Sequence, residues 1–163
     1  MKKAVFLDRD GVINRERGEH TWRPDHFEIL PGVPQALREL KDDGWALVVI
    51  TNQSGIGLGL YDHRHVELVH DLMRKEFALA GVTLDGLYFC PHHPVQGRCL
   101  CRKPGSLLFE KAIALSDIDP GRSVMIGDRE RDIVAATAVG IRGILVGSNS
   151  ALLPLVRKEL LKK

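Results

Sequence analysis

The chain has 163 residues, of which 44% are hydrophobic and 27% are charged, and its formal net charge is +2. These values are ordinary for a soluble globular protein, and so small a net charge gives no reason to expect nucleic acid or an anionic membrane as a partner. No apolar run approaches the roughly 18 residues that a membrane helix needs, and we expect a cytoplasmic, monomeric protein with a single domain over residues 1–163.

The first apolar run, residues 4–7, is followed at once by two aspartates. Four consecutive apolar residues bounded by charge predict a buried strand of a parallel sheet. Asp8 and Asp10 come next, and side chains at i and i+2 on extended backbone point the same way. Two carboxylates so close repel each other unless a cation lies between them or one keeps its proton. The pair therefore indicates a divalent-metal site or two separated pKa values, although an acidic turn at a strand end is an equally simple interpretation.

Strands and helices then alternate along the chain. Residues 13–31 form a polar loop without a helical or strand period, and its position after the aspartates favours a substrate-facing role. The positions of glycine, proline and apolar residues predict helices over 32–44, 62–80, 106–115, 129–139 and 151–161, and strands over 45–50, 85–90, 123–126 and 144–146. This alternation predicts an α/β fold, a Rossmann-like three-layer sandwich with a mainly parallel sheet.

Three histidines lie on the long helix predicted over 62–80. His63, His65 and His70 fall on or beside the edges of its apolar stripe. Histidines at such positions are more often solvated helix residues than metal ligands, so we expect all three side chains to face solvent.

Acidic, basic and hydroxyl side chains follow the predicted strands. In an open parallel sheet, ligands bind outside the carboxyl ends of the strands. The sequence places Asp8, Asp10, Thr51, Lys103 and Asp128 there. This set suits phosphoryl transfer to an aspartate, because a carboxylate can attack phosphorus and divide one difficult hydrolysis into two easier steps. A divalent cation would cancel the repulsion between the nucleophile and an anionic substrate.

Each of these five residues has a role in that chemistry. Asp8 and Asp128 offer hard oxygen ligands suited to Mg²⁺. Thr51 and Lys103 can hold the phosphoryl oxygens as charge spreads over them in the transition state. Asp10 can protonate the leaving alcohol and later deprotonate the attacking water, so we expect its pKa to be raised in the substrate-bound state.

Four motifs, spread over about residues 4–146, resemble those of the haloacid dehalogenase (HAD) superfamily: Asp8-x-Asp10-Gly11-Val12, Thr51, Lys103 and Gly127-Asp128-x-x-x-Asp132. In phosphatases of that superfamily the first aspartate is the nucleophile and the second is the acid/base, while the backbone carbonyl of the second binds Mg²⁺. The resemblance implies hydrolysis of phosphate esters, with Mg²⁺ held by Asp8, Asp10 and Asp128. It also implies that Asp132 orients Lys103. No insertion of domain size follows the first motif or Thr51, which is similar to the members without a cap domain.

All three cysteines fall within twelve positions, in the pattern Cys90-x-His92-x6-Cys99-x-Cys101. Three thiols and an imidazole suit tetrahedral Zn²⁺ with no open position, which predicts a structural site that fixes a polar loop. His93 stands beside His92, so the identity of the nitrogen ligand stays open. Because Arg102 and Lys103 follow directly, the zinc would fix two cations where a phosphate arrives.

The zinc loop narrows the resemblance to a branch that contains the D-glycero-D-manno-heptose-1,7-bisphosphate phosphatases and the histidinol-phosphate phosphatases. Residues 8–14, 51–56 and 90–94 are more similar to the heptose enzymes, whereas the six residues between His92 and Cys99 are similar to the short loop of the histidinol enzymes. The resemblance implies removal of the C7 phosphate of a heptose 1,7-bisphosphate, a step towards a lipopolysaccharide precursor. Histidinol-phosphate hydrolysis stays open, as does a non-catalytic, zinc-stabilised binding module.

The expected substrate is a small phosphorylated molecule, and its contacts can be assigned to three groups of residues. We expect Arg102 to recognise polar groups of the substrate. The remaining contacts are expected from an entrance made by Glu16, Arg17, Gly18, Glu19 and Arg129, and from phosphate donors at Asn52, Gln53 and Ser54.

Overall fold

The structure is a computed structural model that describes residues 1–161. Five short apolar runs form its strands, which are β1 (Ala4–Leu7), β2 (Ala46–Asn52), β3 (Gly86–Cys90), β4 (Val124–Gly127) and β5 (Arg142–Leu145). They pair in parallel in the order β3-β2-β1-β4-β5. The predicted parallel α/β sheet is therefore confirmed, and β1 lies at its centre.

Helices connect the strands. They are α1 (Val33–Asp42), α2 (His63–Leu79), α3 (Leu107–Ser116), α4 (Glu130–Thr137) and α5 (Leu152–Glu159). Each predicted strand and helix is present, with ends that differ by two residues or fewer from the prediction. No helix of the described residues is both long enough and apolar enough to cross a membrane.

The two faces of the sheet bury two separate apolar clusters. Val5 and Leu7 of β1 belong to the cluster formed with α1, α2 and α5, whereas Ala4 and Phe6 belong to the cluster formed with α3 and α4. This division follows from the alternation of side chains along a strand. The ring of Phe6 packs against that of Phe109 with centroids 5.3 Å apart. Helices on both faces leave the carboxyl edge of the sheet as the open edge for a ligand.

The chain turns sharply after β1. Gly11 has φ of 88°, a conformation that other residues rarely adopt. A Cβ atom at this position would also collide with the carboxylate of Asp128. Glycine is therefore required here both by the turn and by the close approach of the segment that follows β4.

The 13–31 loop contains one short 3-10 helix, Pro24–His26. Its two ends are joined by backbone hydrogen bonds, from Leu30 N–H to the Ile13 carbonyl (2.9 Å) and from Arg15 N–H to the Glu28 carbonyl (2.9 Å). These bonds close the loop on itself beside the carboxyl edge of the sheet.

His70 does not face solvent, which corrects the sequence-based expectation. Its side chain is buried, with Nε2 3.3 Å from Nη1 of Arg9 and the ring in T-shaped contact with that of Phe89. Burial and the charge of Arg9 lower the pKa of His70 to about 3. His63 is exposed and His65 is half-buried. The apolar stripe of α2 indicated which face is buried, but it could not indicate that a buried cation would lie against one edge of that face.

We predict that His70→Gln reduces the loss of the free energy of unfolding at acidic pH. The unfolded imidazole takes up a proton below its ordinary pKa of 6.5, whereas the folded one stays neutral down to about pH 3. The free energy of unfolding is therefore lost as the pH falls between these values, by up to about 1.4 kcal/mol per pH unit. Urea unfolding at about pH 7 and about pH 4.5 measures the difference between the two chains. His63→Gln is the matched control, and parallel curves for wild type and His70→Gln would contradict the prediction.

Candidate active site

A buried lysine joins two carboxylates at the carboxyl edge of the sheet. Lys103 Nζ lies 2.9 Å from Asp8 Oδ1 and 2.6 Å from Asp132 Oδ1, and it donates to the Ile50 carbonyl at 2.8 Å. The lysine is only 1% exposed. Burial opposes its charge, but the two carboxylates outweigh burial and raise the pKa of Lys103. The ammonium group is therefore a fixed positive charge beside Asp8.

Asp8 follows β1 and is itself buried. Burial raises the pKa of Asp8 to about 7, with smaller contributions from Asp132 and Asp10, while the charge of Lys103 opposes the shift. A carboxyl group in this position needs further positive charge beside it to be fully ionised at neutral pH. A divalent cation would supply that charge.

The carboxylate of Asp10 accepts three side-chain hydrogen bonds. They come from Arg9 Nη2 (2.9 Å), Asn14 Nδ2 (3.0 Å) and Gln53 Nε2 (3.1 Å). Burial opposes ionisation, but the charge of Arg9 and these bonds prevail and lower the pKa of Asp10. The raised pKa expected of the substrate-bound state is therefore not a property of the chain by itself. A phosphate anion near Asp10 would shift its pKa upward, because like charges disfavour the ionised form.

Asp128 completes an acidic group with Asp8 and Asp132. One oxygen from each of the three side chains lies within 4.8 Å of the others. Asp128 Oδ2 accepts a hydrogen bond from Ser148 Oγ, whereas its buried Oδ1 has no hydrogen-bond partner among the described residues. A buried, unpartnered carboxylate oxygen facing other hard oxygen donors fits Mg²⁺. Both oxygens of Asp132 have partners, Oδ1 in Lys103 and Oδ2 in the Arg129 N–H, whereas the bonds that Asp8 accepts from Lys103 and Arg9 both go to Oδ1. Asp8 and Asp128 are therefore the side chains with an oxygen to offer a metal.

Two of the expected phosphate donors are occupied by other bonds. Gln53 donates its backbone N–H to the Cys90 carbonyl, and its side-chain amide donates to Asp10 and to Thr51 Oγ1. The side chain of Asn52 donates to the Lys103 carbonyl (3.2 Å) and accepts from Lys103 N–H (3.0 Å). Phosphate binding by Asn52 and Gln53 therefore stays a prediction, although both residues line the cavity described below. Both side chains also position the residues around them.

A cavity of about 220 Å³ opens in front of Asp10 and Asp128. Of the expected substrate-binding residues, the lining includes Glu16, Gly18, Glu19, Asn52, Gln53, Ser54 and Arg129. The 13–31 loop forms one wall, and we call it the entrance loop. Arg17 is exposed and is not part of this lining, and Arg102 lines a neighbouring cavity beside the cysteines, so both depart from the expected arrangement.

Four residues near the site were not found by sequence reasoning. His20, Thr21 and Arg131 line the cavity, and Arg9 is completely buried behind it. For Arg9 the sequence did carry a signal. Side chains alternate along an extended segment, so Arg9 should point away from the face on which Asp8 and Asp10 lie. The cavity-lining positions of His20 and Thr21 depend on how the entrance loop folds, which has no periodic signal, whereas Arg131 lies in the first turn of α4.

The three cysteines and His92 form a second cluster. Cys90 Sγ lies 3.7 Å from Cys99 Sγ and 3.0 Å from Cys101 Sγ, and His92 Nδ1 lies 3.2 Å from Cys101 Sγ. Burial raises the pKa of the Cys90 thiol. Burial also opposes ionisation of Cys99, but the hydrogen bond that its sulfur accepts from Arg102 N–H prevails with the neighbouring thiols and lowers its pKa. Four convergent donors of this chemistry fit a tetrahedral zinc ion.

The geometry distinguishes the two adjacent histidines. His93 Nδ1 accepts a hydrogen bond from Val95 N–H at 3.2 Å and so begins the short 3-10 helix Pro94–Gln96. His92 Nδ1 instead lies 3.3 Å from Cys90 Sγ. His92 is therefore the histidine that faces the thiols.

Similarity to known proteins agrees with this geometry. The HAD-hydrolase-like family profile matches residues 100–159. D-glycero-beta-D-manno-heptose-1,7-bisphosphate 7-phosphatase of Haemophilus ducreyi is 41% identical over 160 residues, which cover 93% of this chain and 86% of that protein. The enzyme of the same name from an Escherichia coli O6:H1 strain is 44% identical over 145 residues, covering 85% of this chain and 75% of that protein.

A solved structure has the same fold over almost its full length. The crystal structure of D,D-heptose 1,7-bisphosphate phosphatase from B. bronchiseptica, complexed with magnesium and phosphate, superposes with a TM-score of 0.90 at 32% identity. The superposition covers 97% of this chain and 98% of that one. These matches, together with the buried aspartate–lysine site, show that the chain belongs to the D-glycero-beta-D-manno-heptose-1,7-bisphosphate 7-phosphatase family of the HAD superfamily.

Proposed function

We propose that this chain hydrolyses the C7 phosphate of D-glycero-D-manno-heptose 1,7-bisphosphate by phosphoryl transfer to Asp8. The observation that carries the proposal is the buried contact of Lys103 with both Asp8 and Asp132 at the end of the central strand. Such a site holds a nucleophilic carboxylate beside a fixed positive charge, as attack on a phosphate ester requires. The names of the relatives support the heptose substrate over histidinol phosphate.

Asp8, Asp128 and the backbone carbonyl of Asp10 would hold Mg²⁺. The unpartnered Oδ1 of Asp128 supports this assignment. When bound, Mg²⁺ would offset the repulsion between the substrate phosphate and Asp8. The same charge would favour the ionised form of Asp8, whose pKa burial raises.

The reaction divides into two transfers at phosphorus. A carboxylate oxygen of Asp8 attacks, the bond from phosphorus to the ester oxygen breaks, and Asp10 gives its proton to the departing alcohol. Asp10 then takes a proton from water as the water attacks the aspartyl phosphate, which releases inorganic phosphate and restores Asp8. Lys103 and Thr51 would hold the phosphoryl oxygens through both transfers.

A zinc ion bound by Cys90, His92, Cys99 and Cys101 would have a structural role. The segment from Cys90 to Lys103 contains only the short 3-10 helix Pro94–Gln96, so little regular structure places its end. The paired hydrogen bonds between Asn52 and the backbone of Lys103 fix that end directly. Zinc would fix the rest of the segment, and with it Arg102 in the neighbouring cavity beside the cysteines.

A substrate panel tests the proposed function. We expect kcat/KM to be highest for heptose 1,7-bisphosphate, lower for histidinol phosphate, and lowest for p-nitrophenyl phosphate, all measured with Mg²⁺ present. A higher value for histidinol phosphate would overturn the heptose assignment, and no turnover of any of the three would identify a binding module.

Substitution of the two aspartates tests their roles. Asp8→Asn should abolish turnover because the amide cannot attack phosphorus, and Asp10→Asn should lower kcat by about 10²–10⁴-fold because it removes the acid and base. Asp71→Asn, on the exposed side of α2, is the matched control and should retain wild-type activity. Substantial phosphatase activity in either active-site variant with Mg²⁺ present would refute the mechanism.

Metal analysis tests the second cluster. We expect close to one zinc ion per purified chain, and we expect Cys99→Ser to lose zinc and solubility before the remaining folded protein loses turnover. Leu100→Ser changes an exposed residue between two of the ligands and should retain the metal. Wild-type protein that contains no zinc after expression in zinc-replete medium would disprove the site.

A further inference from the structure

Arg9 is completely buried, yet its guanidinium group reaches three parts of the chain. Nη2 donates to Asp10 Oδ1 (2.9 Å) and to the Thr21 carbonyl (2.7 Å), and Nη1 lies 3.3 Å from His70 Nε2. The guanidinium carbon also lies 5.8 Å from the centre of the Phe27 ring. Thr21 and Phe27 belong to the entrance loop and His70 belongs to α2. A single cation therefore connects the segment after β1 with the loop and the helix.

Arg9 is hydrogen-bonded to two residues that line the cavity, but it does not line the cavity itself. These two residues are Asp10 and Thr21. Arginine has no acceptor atoms, so His70 Nε2 must accept the bond from Nη1, which requires a neutral imidazole. The buried environment of His70 keeps it neutral. His70 therefore accepts a hydrogen bond from the guanidinium group as a neutral ring, and Asp10 is the charged partner of Arg9.

A second set of bonds reaches Asp10 from the same loop. The ring of Trp22 stacks on that of Tyr61, with centroids 6.0 Å apart and an interplanar angle of 13°. Tyr61 donates its hydroxyl to Gln53 Oε1 at 2.8 Å, and Gln53 Nε2 donates to Asp10 Oδ2 at 3.1 Å. Asp10 Oδ1 thus accepts a bond from Arg9, which contacts the entrance loop directly at Thr21. Asp10 Oδ2 accepts a bond from Gln53, which is linked to Trp22 of the same loop through Tyr61.

We propose that Arg9 is a positioning residue that sets the orientation of the Asp10 carboxylate and the place of the entrance loop together. It does not contact the substrate. Because one nitrogen, Nη2, donates to both Asp10 and the loop carbonyl, displacement of the loop weakens the support of the acid/base, and loss of Arg9 disturbs both. This inference rests on the proposed function, since it assigns to Asp10 the transfer of the proton to the leaving group.

The dependence on the leaving group tests the inference. Arg9→Met keeps much of the side-chain volume and removes the hydrogen bonds. We expect it to lower kcat/KM for the better of heptose 1,7-bisphosphate and histidinol phosphate at least about 10-fold more than for p-nitrophenyl phosphate, because a nitrophenolate departs without needing a proton. KM for that better substrate should rise as well, since the entrance loop loses its anchor. Arg9→Lys, which retains the charge, should recover part of both losses.

A double substitution separates the two effects. In an Asp10→Asn background, Arg9→Met should lower kcat little further, while the increase in KM should remain. Arg38→Met, at an exposed arginine of α1, is the matched control and should leave both constants unchanged.

A merely structural role for Arg9 gives a different result. It would lower the activity towards both substrates equally and in proportion to the fraction of chain that is unfolded, and that result would overturn the inference. If Arg9→Met is insoluble, the same comparison of substrates with Arg9→Lys decides the question, with an equal loss for both substrates again counting against it. An Asp10→Asn enzyme with wild-type activity would refute the proposed function instead, so the two failures are distinguishable.

Discussion

The ammonium group of Lys103 is the point at which the site is assembled. It contacts the carboxylate that follows β1, a carbonyl near the end of β2, and the carboxylate of Asp132 in α4. A buried charge is tolerated only when it is paired and fully hydrogen-bonded, and removal of one partner leaves the others uncompensated. The parallel order of the sheet satisfies this requirement, because the ends of β2, β1 and β4 are neighbours. Fold and charge arrangement therefore depend on each other at this point.

The same dependence explains the polar bonds that surround the site. Thr51, Asn52 and Gln53 stand at the end of β2, and their side chains are joined by hydrogen bonds to one another or to residues after β1 and β3. Each bond orients a group that would otherwise have several rotamers of similar energy. The arrangement is set before a phosphate arrives, so little of its binding energy is needed to order the protein.

Much of the fold could be predicted from the sequence because its signals are local. Apolar runs such as 4–7, and glycines that end elements, such as Gly44, define strands and helices from a few neighbouring residues. The alternation of the elements then determines which residues stand at the carboxyl edge. Asp8 and Lys103 could be brought together in this way, although they are 95 residues apart.

The remaining features depend on contacts that no local pattern encodes. Buried His70 is paired with Arg9, which lies 61 positions away in the sequence. The side-chain amide of Gln53 donates to Asp10 and Thr51, and the residue type alone does not show which partners it takes. The charge of Arg9 and the hydrogen bonds from Arg9, Asn14 and Gln53 lower the pKa of Asp10 despite its burial. Pairing over such distances is decided by packing, which the sequence does not show directly.

The entrance loop forms one wall of the cavity. Its ends are hydrogen-bonded to each other, and its middle is held by Arg9 and by the stacked rings of Trp22 and Tyr61. The wall of the cavity is thus held by residues that also support Asp10. Discrimination between substrates by size would accordingly rest on the residues of this loop, whose place is set by the contacts that orient the acid/base.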